Sequence, residues 1–159
     1  MKCCPTDKLF ATGDKSGRVR VWKGQNVFTE GHWHSLPIEA MAFTLDGVHL
    51  LTGGGEGVIV KWDAKTMQKL AMVPRIGSSL IGITVSYGRI VASTNANSLK
   101  VFTANLEDQL GIVGFSVKAQ RKMIWQPSSK CLVLIGNDQQ LQFFDPLERA
   151  QKFAVEVIR

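Results

Sequence analysis

A repeat of about 40 residues is the feature that most constrains how this chain can fold. Four short alternating segments each end in an aromatic residue, and Trp22, Trp62, Phe102 and Phe144 lie 40, 40 and 42 residues apart. A second series of similar segments lies about ten residues before each aromatic, at residues 11–13, 51–53, 92–94 and 134–136. Two series of segments with one common period indicate a structural repeat.

Each repeat has the pattern of short β-strands separated by tight turns. β-Branched residues alternate before the aromatics, as at Val19 and Val21, and Gly, Asn or Asp residues separate the two series. These residue types tolerate the positive φ angles that hairpin turns require. Further strand-like segments bring each repeat to about four strands. A third strand lies upstream at 38–43, 80–85 and 123–125, and a fourth, outer strand is expected at 69–73, 110–115 and 152–158.

Four short strands in about 40 residues are typical of one blade of a β-propeller. One small sheet cannot bury both of its faces, whereas blades stacked around an axis cover each other. We therefore predict an all-β fold, a partial β-propeller of roughly three and a half to four four-stranded blades, whose first repeat lacks its opening strand. Residues 1–159 are expected to be a segment of a larger propeller, with units at roughly 1–30, 31–73, 74–115 and 116–159.

Composition and cysteine usage exclude several other classes of protein. Apolar residues make up 45% of the chain and charged residues 20%, as in globular rather than disordered proteins. No segment approaches the roughly 18 apolar residues of a membrane span, and no signal peptide is recognisable. Cys3, Cys4 and Cys131 have no disulfide-framework spacing, which favours a reducing compartment.

No motif predicts catalysis, a cofactor or a metal. The glycine-rich segment 53–57 lacks the Gly-Lys-Ser/Thr of a phosphate-binding loop and precedes a strand rather than a helix. The pair His32 and His34 could share one strand face, but a zinc site needs further ligands, and we favour structural and surface roles for these rings. We expect the protein not to be an enzyme.

The chain is basic, with 19 Lys and Arg against 13 Asp and Glu and a net charge of +6. Six basic residues and two aspartates occupy the first 23 positions. Clustered basic residues are typical of nucleic-acid contact, and the guanidinium group suits phosphate oxygens. The alternative is that these are solvated surface charges. The candidates for RNA or partner contact are Arg18, Arg20, Lys23, Arg75, Arg121 and Lys122.

The repeats resemble the WD-repeat family. Trp62-Asp63 matches the dipeptide that closes each repeat, and residues 42–47 match the strand and turn that precede it. In this family a histidine, a Ser or Thr, a turn aspartate and the tryptophan form a hydrogen-bonded tetrad that locks a blade. The resemblance places three of these blade-locking residues at His34, Thr52 and Trp62.

The aspartate of this tetrad is replaced in the first three repeats. Its position falls on Ser16, Glu56 and Ala96. Only the repeat that contains Glu56 therefore comes close to the full set of hydrogen-bonding groups.

Four runs, at 32–34, 50–54, 73–77 and 141–144, resemble the WD repeat-containing protein 75 family more specifically. This resemblance implies a nucleolar scaffold of the small-subunit processome that supports pre-ribosomal RNA processing and ribosomal RNA transcription. It implies other processome proteins and pre-ribosomal or small nucleolar RNA as partners, with no membrane, small-molecule substrate or cofactor. The alternative is a generic WD-repeat platform that docks proteins and has no connection with RNA.

Overall fold

The computed structural model describes residues 1–86, 88–114, 122–126, 130–135, 140–148 and 150–156. This part of the chain forms four antiparallel sheets, each built from four consecutive strands. Among these residues the structure has no helix with the length and apolar character that a membrane span requires.

The strands follow the chain in order within each sheet. Sheet 1 contains β1 (Lys2–Cys3), β2 (Leu9–Gly13), β3 (Arg18–Lys23) and β4 (Asn26–His32). Sheet 2 contains β5 (Ile38–Phe43), β6 (His49–Gly54), β7 (Ile59–Asp63) and β8 (Lys69–Val73). Sheet 3 contains β9 (Leu80–Ser86), β10 (Arg89–Thr94), β11 (Ser98–Thr103) and β12 (Gln109–Gly114). Sheet 4 contains β13 (Lys122–Gln126), β14 (Cys131–Ile135), β15 (Gln140–Asp145) and β16 (Ala150–Glu156).

The predicted fold class, an all-β partial propeller of four-stranded blades, is confirmed. The first strands of successive sheets contact each other, β1 with β5, β5 with β9 and β9 with β13, and residues from all four line a common channel. The expectation that the first repeat lacks its opening strand is wrong. Lys2 and Cys3 pair with Ala11 and Phe10, so β1 opens sheet 1, although two residues are too few to show an alternating pattern.

Apolar side chains on both faces of the sheets hold the arc together. In β6, Leu50 packs toward sheet 1 and its neighbour Leu51 packs toward sheet 3, since adjacent strand residues point to opposite faces. The described residues form three such layers, between sheets 1 and 2, 2 and 3, and 3 and 4. Each interior sheet is therefore buried on both sides.

The turns and the connections between sheets meet at one end of the arc. The β2–β3 turn contacts the β4–β5 connection, where Ile38 N donates to Asp14 O at 3.1 Å. The next repeat also joins its turn to the following connection, where Ile76 N donates to Gly57 O at 2.9 Å. We call this end of the arc the connection end.

Gly17 allows the closest of these approaches. Its φ is +81°, in the left-handed region, and a Cβ added there would lie 2.1 Å from the carbonyl oxygen of His34. The absence of a side chain at Gly17 therefore fixes where the connection that carries His34 can lie.

We expect Gly17→Ala to lower the free energy of unfolding by about 1–3 kcal/mol more than Gly24→Ala does, because the added methyl group overpacks the contact with His34. Gly24 is the matched control, since its φ of +62° imposes a similar backbone strain but nothing lies within 4 Å of where its Cβ would be. Urea denaturation of both variants measures the difference. Equal losses would show that only backbone strain matters at Gly17.

Candidate functional site

A continuous chain of hydrogen bonds runs through the layer between sheets 1 and 2. Trp62 on β7 contacts Thr52 on β6, with Nε1 2.8 Å from Oγ1. His34, on the β4–β5 connection, approaches the same hydroxyl with Nε2 at 2.8 Å. Its other ring nitrogen, Nδ1, lies 2.5 Å from Oε1 of Glu56 in the β6–β7 turn. The structure thus brings together the three residues placed by the resemblance and adds Glu56 in the aspartate position.

A neutral His34 gives each hydrogen bond in this chain one donor and one acceptor. The indole N–H of Trp62 can only donate, so it donates to the hydroxyl oxygen of Thr52. With the ring proton on Nδ1, the unprotonated Nε2 of His34 accepts the hydroxyl hydrogen of Thr52. The remaining ring proton is on Nδ1 and donates to Glu56. A neutral His34 therefore satisfies the whole chain.

Burial supports the neutral form of His34. The side chains of His34, Thr52 and Trp62 are 1%, 0% and 3% exposed. Desolvation lowers the pKa of His34 below its usual value of 6.5, while the hydrogen bond and negative charge of Glu56 act in the opposite direction and are the weaker effect. The ring is thus uncharged at neutral pH.

Strand register identifies the equivalent positions in the other sheets. In sheet 2, Trp62 pairs across the hairpin with Leu50, and Thr52 lies two positions after Leu50. In each other sheet, the equivalent of Thr52 is likewise two positions after the residue that pairs with the repeat aromatic. This places Thr12 in sheet 1, Ala92 in sheet 3 and Leu134 in sheet 4. The equivalent position is therefore the first residue of the segments 92–94 and 134–136, whereas it is the middle residue of 11–13 and 51–53.

The tryptophan and the hydroxyl are present or absent together. In sheet 1 the Nε1 of Trp22 donates to Oγ1 of Thr12 at 2.8 Å. In sheet 3 both polar groups are missing, because Phe102 accompanies Ala92, and in sheet 4 Phe144 accompanies Leu134. This pairing avoids leaving a buried donor or acceptor without a partner, which costs more than replacing both by apolar groups.

Arg18 and Arg20 are paired within sheet 1. Arg18 Nη1 lies 3.3 Å from Glu30 Oε1, and Arg20 contacts Glu30 Oε2 and Asp14 Oδ2 at 3.2 Å each. Hydrogen bonds from the Ser16 side chain and the Arg18 backbone lower the pKa of Asp14 to about 2. Two positive and two negative charges thus balance here, which reduces the attraction of these arginines for phosphate.

The other basic candidates do not form one patch with these arginines. Lys23 is exposed at the far end of β3, Arg75 is exposed on the β8–β9 connection, and Lys122 lies at the start of β13 beside the channel. Arg121 lies outside the described residues. The structure therefore places these basic residues on separate parts of the surface.

A depression at the connection end lies between sheets 2 and 3. Its walls include Leu36, Glu56, Arg75, Ser79 and Asn95, which come from two connections and two turns, and its volume is about 530 Å³. Glu56 thus belongs both to the buried hydrogen-bond chain and to this surface. Charge and composition could not have located the depression, because its residues are spread between positions 36 and 95 of the sequence.

Comparison with known families identifies relatives over the whole chain. The model of the WD repeat-containing protein 75 first beta-propeller matches residues 1–105. WD repeat-containing protein 75 of Xenopus laevis is 29% identical and that of Homo sapiens 30% identical, each over 99% of this chain and 20% of the relative. U3 small nucleolar RNA-associated protein 17 of Schizosaccharomyces pombe is 35% identical over 54% of this chain and 11% of its own length. The chain thus spans about a fifth of the WD repeat-containing protein 75 relatives.

Solved structures share the fold at low sequence identity. BamB from Moraxella catarrhalis has a TM-score of 0.82 and 16% identity, covering 99% of this chain and 48% of that structure. The computationally designed Ika8 protein has a TM-score of 0.80 and 20% identity, covering 94% and 46% respectively. These likenesses concern the propeller fold alone.

We expect Trp62→Phe to cost about 1–3 kcal/mol in unfolding free energy beyond the loss of packing, because Thr52 loses a donor in a buried site. Trp22→Phe is the matched control. It removes the same atoms, but Trp22 and Thr12 are only half-buried, so water can replace the missing bond. Urea denaturation gives both values, and an equal cost for the two variants would contradict the importance of burial.

We expect stability to decrease as the pH falls below about 6.5. The unfolded chain binds a proton at His34 near its ordinary pKa of 6.5, whereas the folded ring takes it up only at lower pH. The unfolded state therefore binds more protons in this window, and the free energy of unfolding falls with falling pH. Urea denaturation between about pH 5 and 8 measures the slope.

Substituting the two histidines whose pKa is lowered shows which of them causes this pH dependence. Burial also lowers the pKa of His49, so His49→Gln serves as the control that removes the second contribution. We expect the free energy of unfolding of His49→Gln still to fall with falling pH, and we expect the addition of His34→Gln to that variant to make this dependence weaker. An unchanged slope in His34→Gln would contradict the assignment.

Proposed function

Because the chain belongs to the WD repeat-containing protein 75 first beta-propeller family, we propose that it acts as a non-catalytic scaffold in ribosome biogenesis. It supports pre-ribosomal RNA processing and ribosomal RNA transcription as part of the small-subunit processome, in the nucleolus. The observation that carries the proposal is the family match over residues 1–105, extended by relatives that align with 99% of the chain. The name of the Schizosaccharomyces pombe relative, a U3 small nucleolar RNA-associated protein, adds support.

The buried hydrogen-bond chain between sheets 1 and 2 supports a role without catalysis. His34 and Thr52 are buried and use their polar atoms in hydrogen bonds to neighbouring side chains. A substrate cannot reach either group without opening the layer between sheets 1 and 2. Their arrangement stabilises a blade and leaves the outer surfaces for partners.

The two end faces of the arc support a place within a larger propeller. On the outer face of sheet 1 the rings of Phe10 and Trp22 stack with centroids 6.0 Å apart, and both remain half-buried. Their equivalents in sheet 2, Leu50 and Trp62, are covered by the neighbouring sheet. On the outer face of sheet 4, Ile124 is 43% exposed. Further blades would bury these faces as the interior sheets are buried.

Complex purification tests the scaffold role. The tagged chain is expressed in cultured vertebrate cells and recovered with and without ribonuclease treatment. We expect processome proteins in the untreated sample, and their retention after digestion would favour direct protein docking. Absence of processome proteins from both samples would overturn the proposal.

A protein-docking platform unrelated to RNA is the second candidate function. The observation that favours it is the local neutralisation of Arg18 and Arg20 by Asp14 and Glu30. On this account the partners recovered by purification survive ribonuclease and do not belong to the processome.

If RNA is contacted directly, Arg75 and Lys122 are the side chains we propose for phosphate binding, with Lys23 and Arg121 as further candidates. Binding of a single-stranded RNA oligonucleotide should weaken with salt, because bound cations displace counterions. We expect Arg75→Gln with Lys122→Gln to make the log–log salt slope shallower by about 0.7 for each phosphate that is no longer neutralised. Fluorescence anisotropy at several salt concentrations measures this slope.

The control for this experiment is Arg18→Ala with Arg20→Ala. These arginines are paired, so their removal should change RNA affinity less than the removal of Arg75 and Lys122. A salt-independent affinity, or an unchanged slope in Arg75→Gln with Lys122→Gln, would overturn direct RNA contact through these residues.

A further inference from the structure

The outer faces of sheet 1 and sheet 4 have no described sheet against them. In every sheet, the residue that pairs with the repeat aromatic points toward the preceding sheet. Three of the four residues at this position are fully buried in the layer that joins the two sheets: Leu50, Ile90 and Leu132. The fourth, Phe10 in sheet 1, is half-buried. Phe10 therefore lacks the neighbouring sheet that covers its equivalents.

The next residue along the strand marks the opposite face of each sheet, since adjacent strand residues point to opposite sides. Ala11, Leu51 and Val91 occupy this position in sheets 1, 2 and 3, and each is 0% exposed in the layer shared with the following sheet. Their equivalent in sheet 4, Val133, is half-buried, and Ile124, which pairs with it, is 43% exposed. Sheet 4 thus lacks a covering sheet on this side, as sheet 1 does on the other.

These two outer faces are the two kinds of face that pack together inside the arc. Each interior layer joins the face that carries the aromatic of one sheet to the opposite face of the preceding sheet, as Trp62 packs with Val21. The outer face of sheet 1 is of the first kind, since Phe10 stacks on Trp22 there. The outer face of sheet 4 is of the second kind. Sheet 1 therefore matches sheet 4, whereas two copies of the same face reproduce no layer of the arc.

Charge does not prevent the outer face of sheet 1 from being covered. Arg18 and Arg20 lie on this face, because the residue between them, Val19, is buried against sheet 2. Their guanidinium groups are paired with Asp14 and Glu30 of the same repeat. A neighbouring sheet would therefore cover paired charges and avoid the larger cost of a buried charge without a partner.

The curvature of the arc determines how many sheets close a ring. The superposition on BamB includes 99% of this chain but 48% of that structure, and the superposition on Ika8 gives 94% and 46%. The arc thus has the geometry of about half of a propeller. Four further sheets of the same curvature complete the ring, and a second copy of this chain supplies four.

We propose that two copies of this chain join head to tail, with sheet 1 of each against sheet 4 of the other, and close a ring of eight sheets. A head-to-tail contact forms a closed ring when the rotation between copies fits, and an open filament when it does not. Each copy spans about half of the ring, so two identical contacts close it. The inference goes beyond the proposed role in ribosome biogenesis, because it rests on the end faces alone.

The mass of the chain in solution tests this ring. We expect sedimentation equilibrium to give twice the 17.5 kDa of one chain, with no larger species, because a closed ring has no face left to extend. A monomer at all concentrations up to about 100 μM would overturn the proposal and favour blades of another polypeptide as the cover. Assemblies that keep growing with concentration would also overturn it, because they would show that the ring does not close.

Substitutions on the two outer faces identify the contact. Phe10→Lys and Val133→Glu each place a charge in both contacts of the ring, so each is expected to raise the dissociation constant of the dimer at least about tenfold. Leu70→Glu is the control, because Leu70 is 47% exposed on β8, the outer strand of the interior sheet 2. It should leave the mass unchanged.

A mixture of the two variants distinguishes a head-to-tail contact from a contact between like faces. A mixed dimer has one unmodified contact, and its other contact contains one lysine and one glutamate. We expect the mixture to recover dimers at concentrations where neither variant forms them alone. No recovery, or a dimer that is lost in Phe10→Lys but kept in Val133→Glu, would overturn the head-to-tail ring.

Circular dichroism and urea denaturation check that each variant folds. Ile124→Glu replaces Val133→Glu if that variant unfolds, because Ile124 lies on the same face and is more exposed. The mass of the unmodified chain decides the question without any variant. A monomeric chain would overturn the ring and leave the complex purification, which tests the scaffold role, unaffected.

Discussion

A four-stranded sheet with apolar residues on both faces must be covered on both sides, and the rest of this structure depends on that constraint. Leu50 and Leu51 are adjacent in β6, point to opposite faces, and are both fully buried. Such a sheet is stable only between two neighbours, so successive repeats stack side by side. Stacking places the β2–β3 and β6–β7 turns beside the connection to the next sheet. The contact of Gly17 with the backbone of His34 follows from this arrangement, as does the position of Glu56 beside the β8–β9 connection.

The buried polar chain of His34, Thr52, Trp62 and Glu56 is compatible with this apolar layer because its internal donors are all used. Neutral His34 is the form that completes it, and burial favours the same form. Sheets 3 and 4 differ at the equivalent positions, where phenylalanine lies opposite an aliphatic residue and neither the indole N–H nor the hydroxyl is present. A fully hydrogen-bonded polar pair and an apolar pair are both stable when buried, because each avoids an unpaired polar group, which would lower the free energy of unfolding more. Glu56 Oε2 and Ser86 Oγ are exceptions among the described residues, because each is buried without a hydrogen-bond partner.

The repeat period was sufficient to predict the sheets because each aromatic and its partner segment recur at nearly constant spacing. It could not reveal β1, since a strand of two residues shows no alternation. The resemblance placed His34, Thr52 and Trp62, and the structure brings His34 and Trp62 each within hydrogen-bond distance of Thr52. The unused oxygen of Glu56 was beyond sequence reasoning, because it depends on the orientation of one carboxylate.

Charge is where sequence order and structure differ most. The basic segment near the start of the chain contains Arg18 and Arg20, yet cross-strand pairing brings Glu30 to them from outside that segment. A count of charges along the chain cannot detect such pairing, because antiparallel strands join residues ten or more positions apart. Conversely, Glu56 and Arg75 are far apart in sequence and line one depression, since connections from neighbouring sheets meet at the same end. The charges available to partners are therefore determined by where the strands end, so a search for binding surfaces in such repeats should begin at the connection end.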